Sequence, residues 1–288
     1  MSGGAGPSNG TRRSGESAVT QQSGLFGPAS LTWRVHSDPL MGIATLRALA
    51  LRAFHPEGLA AVYAMTRHAD DIWQRVARTL RYISTVTFGT TVEAVMAGAR
   101  ARAIQAQVSG RAADGRSFRG DDPDLMLWVH CCHVSSVLDV VRRGGLQLEL
   151  ADQDGYLKEQ LRAATVWGLE PEEVPASRSE LAAYFRRVRP ALRMTHEART
   201  FLDPVVTPPL PAAMLLTTQQ ATPEWAPMAG LAFAALPVWA RQMYARPYLA
   251  GPAGLSMQET TTALRSLRES LGHRPASHGS EPSSEPEQ

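Results

Sequence analysis

Cysteine is almost missing from this chain: Cys131 and Cys132 are the two present among 288 residues. Adjacent residues in a helical run point in different directions, so the pair is poorly placed to bridge itself, and a disulfide framework is excluded. A reducing compartment fits that usage. Lysine is scarcer still, with Lys158 alone, so nearly all positive charge is arginine. Those arginines are interleaved with acids, the net charge is only +2, and no basic block forms, which argues against nucleic-acid binding. Long apolar runs are lacking too. The longest, Ala226 to Ala240, carries Pro227 and Pro237 and falls short of the roughly 20 residues that a bilayer span needs. It reads as a core helix or buried turn, and no transmembrane segment is expected. Arg12-Arg13 is followed by polar residues and not by an apolar stretch, so neither a secretory nor a twin-arginine signal is read, and a cytoplasmic location is expected. The glycine-rich dinucleotide fingerprint, the P-loop, the Gly-x-Ser-x-Gly elbow and the His-Glu-x-x-His metal motif are all absent.

What is present is helical periodicity. With 44% apolar residues over this length, the chain can bury a full core. Residues 1–29 read as an N-terminal tail whose Gly-, Ser-, Thr- and Gln-rich part runs to about Gly24. Residues 30–272 read as one helical domain, and 273–288 as a polar C-terminal tail. Trp33 to Pro39 leads into the folded part. Helices are expected over Leu40–Phe54, Gly58–His68, Asp71–Phe88, Thr91 to about Val108, Pro123 to the Gly144-Gly145 pair, Asp152–Trp167, Ser177–Arg189 and Ser256–Leu271. Short helices precede Tyr244. Thr90-Thr-Val-Glu93 and Ser177-Arg-Ser-Glu180 have the form of capping boxes. Gly110 to Gly120 reads as a loop, and Pro204 to Pro211 breaks the pattern. No alternating strand pattern and no repeat appears. The expected fold class is all-α, a single large domain of roughly ten helices.

The stretch that organises the rest is Asp122-Pro-Asp-Leu-Met-Leu-Trp-Val-His-Cys-Cys-His-Val-Ser-Ser-Val-Leu138. Asp122 is a good N-cap, Pro123 at the first helical position loses no hydrogen bond, and Asp124 suits the positive end of the helix dipole. Leu127, His130, Val134, Val137 and Val141 recur at helical spacing, so His130 lies on the apolar stripe. An imidazole there needs a partner, because an unpaired buried polar group costs roughly 1–3 kcal/mol. That partner is a carbonyl, a side chain or a metal. His130 and His133 share a helix face and can both touch one metal, although a second ligand pair at finger-like spacing is missing. The plainer alternative is a packed, carbonyl-bonded His130 and an unrelated surface His133. Arg75 and Thr79 sit at i and i+4 on a polar helix face. Their plain alternative is a solvated arginine and a threonine bonding back to its own helix. Trp128 and Tyr82 read as core aromatics. Leu46, Val62, Tyr82, Leu127 and Trp128 are candidate linings of an apolar pocket.

Four stretches, in order, resemble the family that holds the latex-clearing proteins (rubber oxygenases) and the oxygenase of mycophenolic acid biosynthesis, together with its uncharacterised bacterial members. The first is Leu49-Ala-Leu-Arg-Ala-Phe-His-Pro56, followed by Gly58-Leu-Ala-Ala-Val62. The second is Arg75-Val-Ala-Arg-Thr-Leu-Arg-Tyr82, running on to Phe88-Gly89. The third is Asp122-Pro-Asp-Leu-Met-Leu-Trp-Val-His130. The fourth is Gly168-Leu-Glu-Pro-Glu-Glu-Val-Pro-Ala176, leading into Leu181-Ala-Ala-Tyr184. The similarity covers about residues 36 to 250, and its specificity lies in the order and spacing of the set.

The resemblance implies an all-helical fold, with globin-like helix packing around a b-type haem. It makes His130 the proximal iron ligand, and Arg75 and Thr79 the arginine and threonine near the haem, with catalytic and cofactor-binding roles. The activity implied is a haem-dependent oxygenase acting on a small apolar substrate, isoprenoid or otherwise unsaturated, with dioxygen as co-substrate. Rubber itself is not expected. Rubber oxygenases are secreted, and their catalytic acid has no clean counterpart here; Glu57 lies nearby in sequence, but the role is not carried to it. Two other readings stay open: a haem-binding sensor or carrier without turnover, and a cofactor-free helical interaction protein. A haem ligand's second ring nitrogen also needs orienting, and an Asp or Glu from a neighbouring helix is one expected partner.

Overall fold

The helix predicted around His130 forms over Pro123–Arg143, and the other elements are laid against it. The computed structural model describes residues 24–64, 69–112, 115–206, 225–244 and 255–272. In chain order the helices are α1 Leu31–His36, α2 Met41–Arg52, α3 Pro56–Ala64, α4 Ala69–Phe88, α5 Thr91–Ala106, α6 Pro123–Arg143, α7 Leu150–Trp167, α8 Arg178–Val188, α9 His196–Val206, α10 Trp225–Ala234, α11 Val238–Tyr244 and α12 Met257–Gly272.

Local signals set the ends of these helices. The Asp122 carboxylate accepts from the backbone N–H groups of Asp124 (2.9 Å) and Leu125 (3.3 Å), which starts α6. Both halves of the Thr90–Glu93 capping box form ahead of α5. At α8 only half does. Ser177 accepts from the Glu180 N–H, but the Glu180 carboxylate takes the Ala176 N–H instead (2.8 Å). Gly168 ends α7 at φ 101°, a left-handed position that glycine occupies without a Cβ clash.

α2 and α6 form the central pair. Leu40 comes in where Gly144 has no side chain. Further along, Arg47 Nη1 donates to Ser136 Oγ (2.8 Å), and Trp128 Nε1 donates to the Arg52 carbonyl (3.3 Å). Numbers rise on α2 as they fall on α6, so the two run antiparallel. α6 is the one described helix long and apolar enough to cross a membrane, yet 78% of its apolar window is buried inside the protein. It is the core helix of the domain. α1 is fixed to α7 by Glu159, whose carboxylate accepts from the otherwise unpaired N–H groups of Leu31 (3.1 Å) and Thr32 (2.7 Å).

Two expectations change. Gly110 to Gly120 is not simply a loop. It holds an antiparallel hairpin, β1 Ser109–Arg111 and β2 Ser117–Arg119, with Gly110 opposite Phe118. Phe118 is the one buried side chain among those strand residues, so no alternating pattern is written into the sequence. The folded part also starts before residue 30. Phe26 is buried against Val86 and Ala94, with the Arg162 guanidinium 5.4 Å over its ring, and Arg162 Nη1 donates to the Leu25 carbonyl (2.7 Å). Two apolar residues at the end of a polar run suffice to dock it. The rest of the tails, residues 1–23 and 273–288, lie outside the described residues, as do the end of the Gly58–His68 helix beyond Ala64 and most of the Pro204–Pro211 break.

Candidate functional site

His130 sits in the middle of α6 and is 6% exposed. Burial pushes its pKa down to about 4, and the Arg52 guanidinium adds to the effect. The imidazole is therefore neutral at pH 7 and has a lone pair available. The carboxylate partner expected from a neighbouring helix is not found among the described residues. The charged neighbour is Arg52, a cation. A cation there opposes imidazolate character, so His130 is suited to donate as a neutral imidazole.

His133 is not a surface residue. It is buried, and its enclosed Nδ1 has no partner among the described residues. Its ring stands edge-on to His36, with centroids 5.7 Å apart. His36 is held at both nitrogens, Nδ1 by Thr87 Oγ1 (2.8 Å) and Nε2 by the Tyr156 hydroxyl (3.0 Å). Either hydroxyl can donate or accept, so both tautomers are served. Burial lowers the His36 pKa to about 4. It lowers His133 further, with His36, Arg52 and His130 contributing in that order. A polar core thus runs from Thr87 and Tyr156 through His36 and His133 to Arg52 and His130, where sequence reasoning placed His130 and His133 on one helix face and gave no role to the others.

Two arginines of α2 face α6, and they differ. Arg47 is almost fully buried and fully engaged. Its Nε donates to the Ala235 carbonyl (2.9 Å), Nη1 to Ser136, and Nη2 pairs with Asp139 (3.4 Å). Arg52 has an enclosed Nε without a hydrogen-bond partner and no carboxylate partner among the described residues. Surrounding protein desolvates the guanidinium and lowers its pKa.

α4 carries both other candidates. Thr79 is half-buried; Arg75 lies one turn earlier, and its side chain is outside the described residues. The expected pocket lining divides. Leu46, Leu127 and Trp128 belong to the main core. Tyr82 packs with Phe26, Val86 and Ala94, and its hydroxyl is enclosed without a described partner and pushed up to about 12 by burial. The Val62 side chain lies outside the described residues. Glu57 pairs with exposed Arg116 (3.1 Å). No group of three or more His, Cys, Asp or Glu that could hold a metal ion occurs among the described residues. Cys131 and Cys132 are buried, with thiol pKa values raised by that burial, so they remain thiols. An open groove of about 590 Å³ beside the start of α12, lined by Leu255, Ser256, Glu259 and Thr262 among others, includes none of the candidate residues.

Helices packed around one histidine-bearing core helix, with a single small hairpin among the described residues, define a predominantly helical domain. The chain belongs to the family described as ER-bound oxygenase mpaB/B'/rubber oxygenase, catalytic domain, which it matches over residues 33–266. The match spans all four resembling stretches. A solved structure of latex clearing protein in the closed state superposes with a TM-score of 0.55 at 16% identity, covering 91% of this chain and 73% of that one. At that identity the likeness speaks for the helical fold. No curated protein sequence matches the chain.

Proposed function

We propose that the protein is a haem-b-dependent oxygenase with His130 as the iron ligand, acting on a small apolar substrate, isoprenoid or otherwise unsaturated, with dioxygen. The observation that carries this reading is His130 itself: buried at the centre of the core helix, neutral, and free of any described acidic neighbour. Family membership supports oxygenase chemistry in general. Haem, when bound, supplies the chemistry of dioxygen activation, which no side chain offers.

The chain's own residues set the conditions. The α2–α6 pair excludes water from the imidazole. Burial, with Arg52 adding to it, keeps that imidazole neutral. Leu46, Leu127 and Trp128 make the surrounding core apolar, which favours an apolar substrate over a charged one. Arg75 and Thr79 of α4 are assigned to the cofactor and to positioning the reactants. The protein acts in the cytoplasm on this reading, and rubber is not its substrate. An absorption spectrum of the full-length protein with added haem b tests it. A Soret band that titrates to one haem per chain is expected, and no uptake would end the haem reading.

A further inference from the structure

We propose that Arg52 is the anchor for a carboxylate that enters the His130 site. The inference rests on the reading of His130 as a cofactor ligand and adds to it the charge that the site is built to receive. The contrast with Arg47 carries it. Both arginines lie on α2 and face α6, and both are desolvated. Arg47 is satisfied by a carbonyl, a hydroxyl and a carboxylate. Arg52 reaches toward His130, His133 and Cys132, none of them anionic, and its Nε is left without a partner. A buried cation without a counter-charge is costly, whereas the same cation with an incoming carboxylate gains a charge-assisted, two-pronged contact. The guanidinium is desolvated by the surrounding protein and acts directly on the His130 imidazole, so a carboxylate that reaches the His130 site meets it.

Two sources can supply the carboxylate: a propionate of the haem, or the acid end of an amphipathic substrate such as a long-chain or isoprenoid acid. The chemistry is shared, and the experiment separates them. Full-length wild type, Arg52→Met and Arg52→Lys are titrated with haem b and with its dimethyl ester, then with oleate and methyl oleate, following the Soret band and the melting temperature. If a propionate is the partner, wild type binds haem at least tenfold tighter than the ester, Arg52→Met abolishes that preference, and Arg52→Lys keeps part of it. If a substrate acid is the partner, Arg52→Met takes up haem and ester as wild type does. Oleate then perturbs the Soret band of wild type but not of Arg52→Met, and methyl oleate perturbs neither.

The cofactor-free proteins give a second readout. Removing an unpaired buried cation should leave the melting temperature of Arg52→Met equal to that of wild type or raise it. A purely structural arginine would lower it by several degrees, which overturns the proposal. Arg52→Met retaining both carboxylate preferences, or wild type showing neither, overturns it as well. If wild type takes up no haem, the His130 reading fails by itself. Arg52 is then decided by whether oleate raises the melting temperature of wild type and not that of Arg52→Met.

Discussion

Arg47 and Asp139 face each other across the α2–α6 interface with Nη2 and Oδ2 3.4 Å apart, one from each helix of the central pair. Asp139 also holds Arg143 (3.2 Å) and Arg142 (3.6 Å) on its own helix, so one carboxylate serves three guanidinium groups. Removing it would leave Arg47 buried with two neutral acceptors and no counter-charge. Asp139→Ala should therefore cost about 2–4 kcal/mol, somewhat below the usual range for breaking a fully buried pair, because the acid is partly exposed. The double variant Arg47→Met, Asp139→Leu should recover most of the loss. Denaturant unfolding of the four proteins as a double-mutant cycle checks both statements.

His36 should make the cofactor-free protein sensitive to mild acid. Its folded pKa is depressed to about 4, from an ordinary value near 6.5, so between those values the unfolded chain binds the proton that the folded chain refuses. Its contribution is intact above pH 6.5, is lost progressively as pH falls from 6.5, and stops changing below about 4. The full loss is on the order of 3 kcal/mol. His36→Gln should lower stability at pH 7, because Thr87 and Tyr156 lose their present partner. It should also flatten the slope of stability against pH in that window by about one proton. An unchanged slope would show that His36 does not titrate there.

The N-terminal boundary can be located by deletion. Removing residues 1–23 and 273–288 takes away polar sequence that has little apolar surface to bury, so melting temperature and cofactor content should not change. Extending the N-terminal cut through residue 29 removes Phe26 and should lower the melting temperature. Phe26→Ala alone should cost about 3 kcal/mol.

The features legible in the sequence were those encoded locally. Asp122-Pro123, the Thr90–Glu93 box and the run from Leu127 to Val141 fixed α6 and its neighbours because each signal is contained within a few turns. α1 escaped, since six residues are too few to show a period. The hairpin escaped because five of its six strand residues are exposed. The polar core escaped for a different reason. His36 is satisfied by residues 51 and 120 positions away, and nothing near it in the chain announces them. Spacing did place His133 on the same face as His130, but its burial depends on α1. Arg47 and Arg52 look alike in the sequence, and their partners alone separate them.

Arg75→Ala should weaken haem retention while leaving far-ultraviolet circular dichroism unchanged. α4 leads toward the polar core: its Thr87 holds His36, which in turn meets His133. Thr79→Val, which keeps shape and removes the hydroxyl, should alter activity more than retention. Full retention and full activity in both variants would remove α4 from the site.

The decisive comparison is between His130 and His133. Both are buried on one face of α6, so burial alone does not choose the ligand, and His133 is no surface control. Two differences favour His130, although His133 Nδ1 is shut in without a partner and so makes His133 a genuine competitor. His130 lies in the Asp-Pro…Trp-Val-His stretch through which the sequence resembles the family. His133 packs against His36, which ties it to the Thr87–Tyr156 side of the core. His130→Ala should therefore lose the Soret band or shift it strongly. His133→Asn should keep the band and lose stability, since it disturbs packing against His36. Because a truncated His130 opens a cavity, the His130→Ala protein should be retested with imidazole, which can enter that space and restore ligation. Rescue of the band by imidazole in His130→Ala, and no dependence on imidazole in His133→Asn, identifies the ligand. Loss of haem in both variants without rescue in either would return His130 to the core as a packing residue.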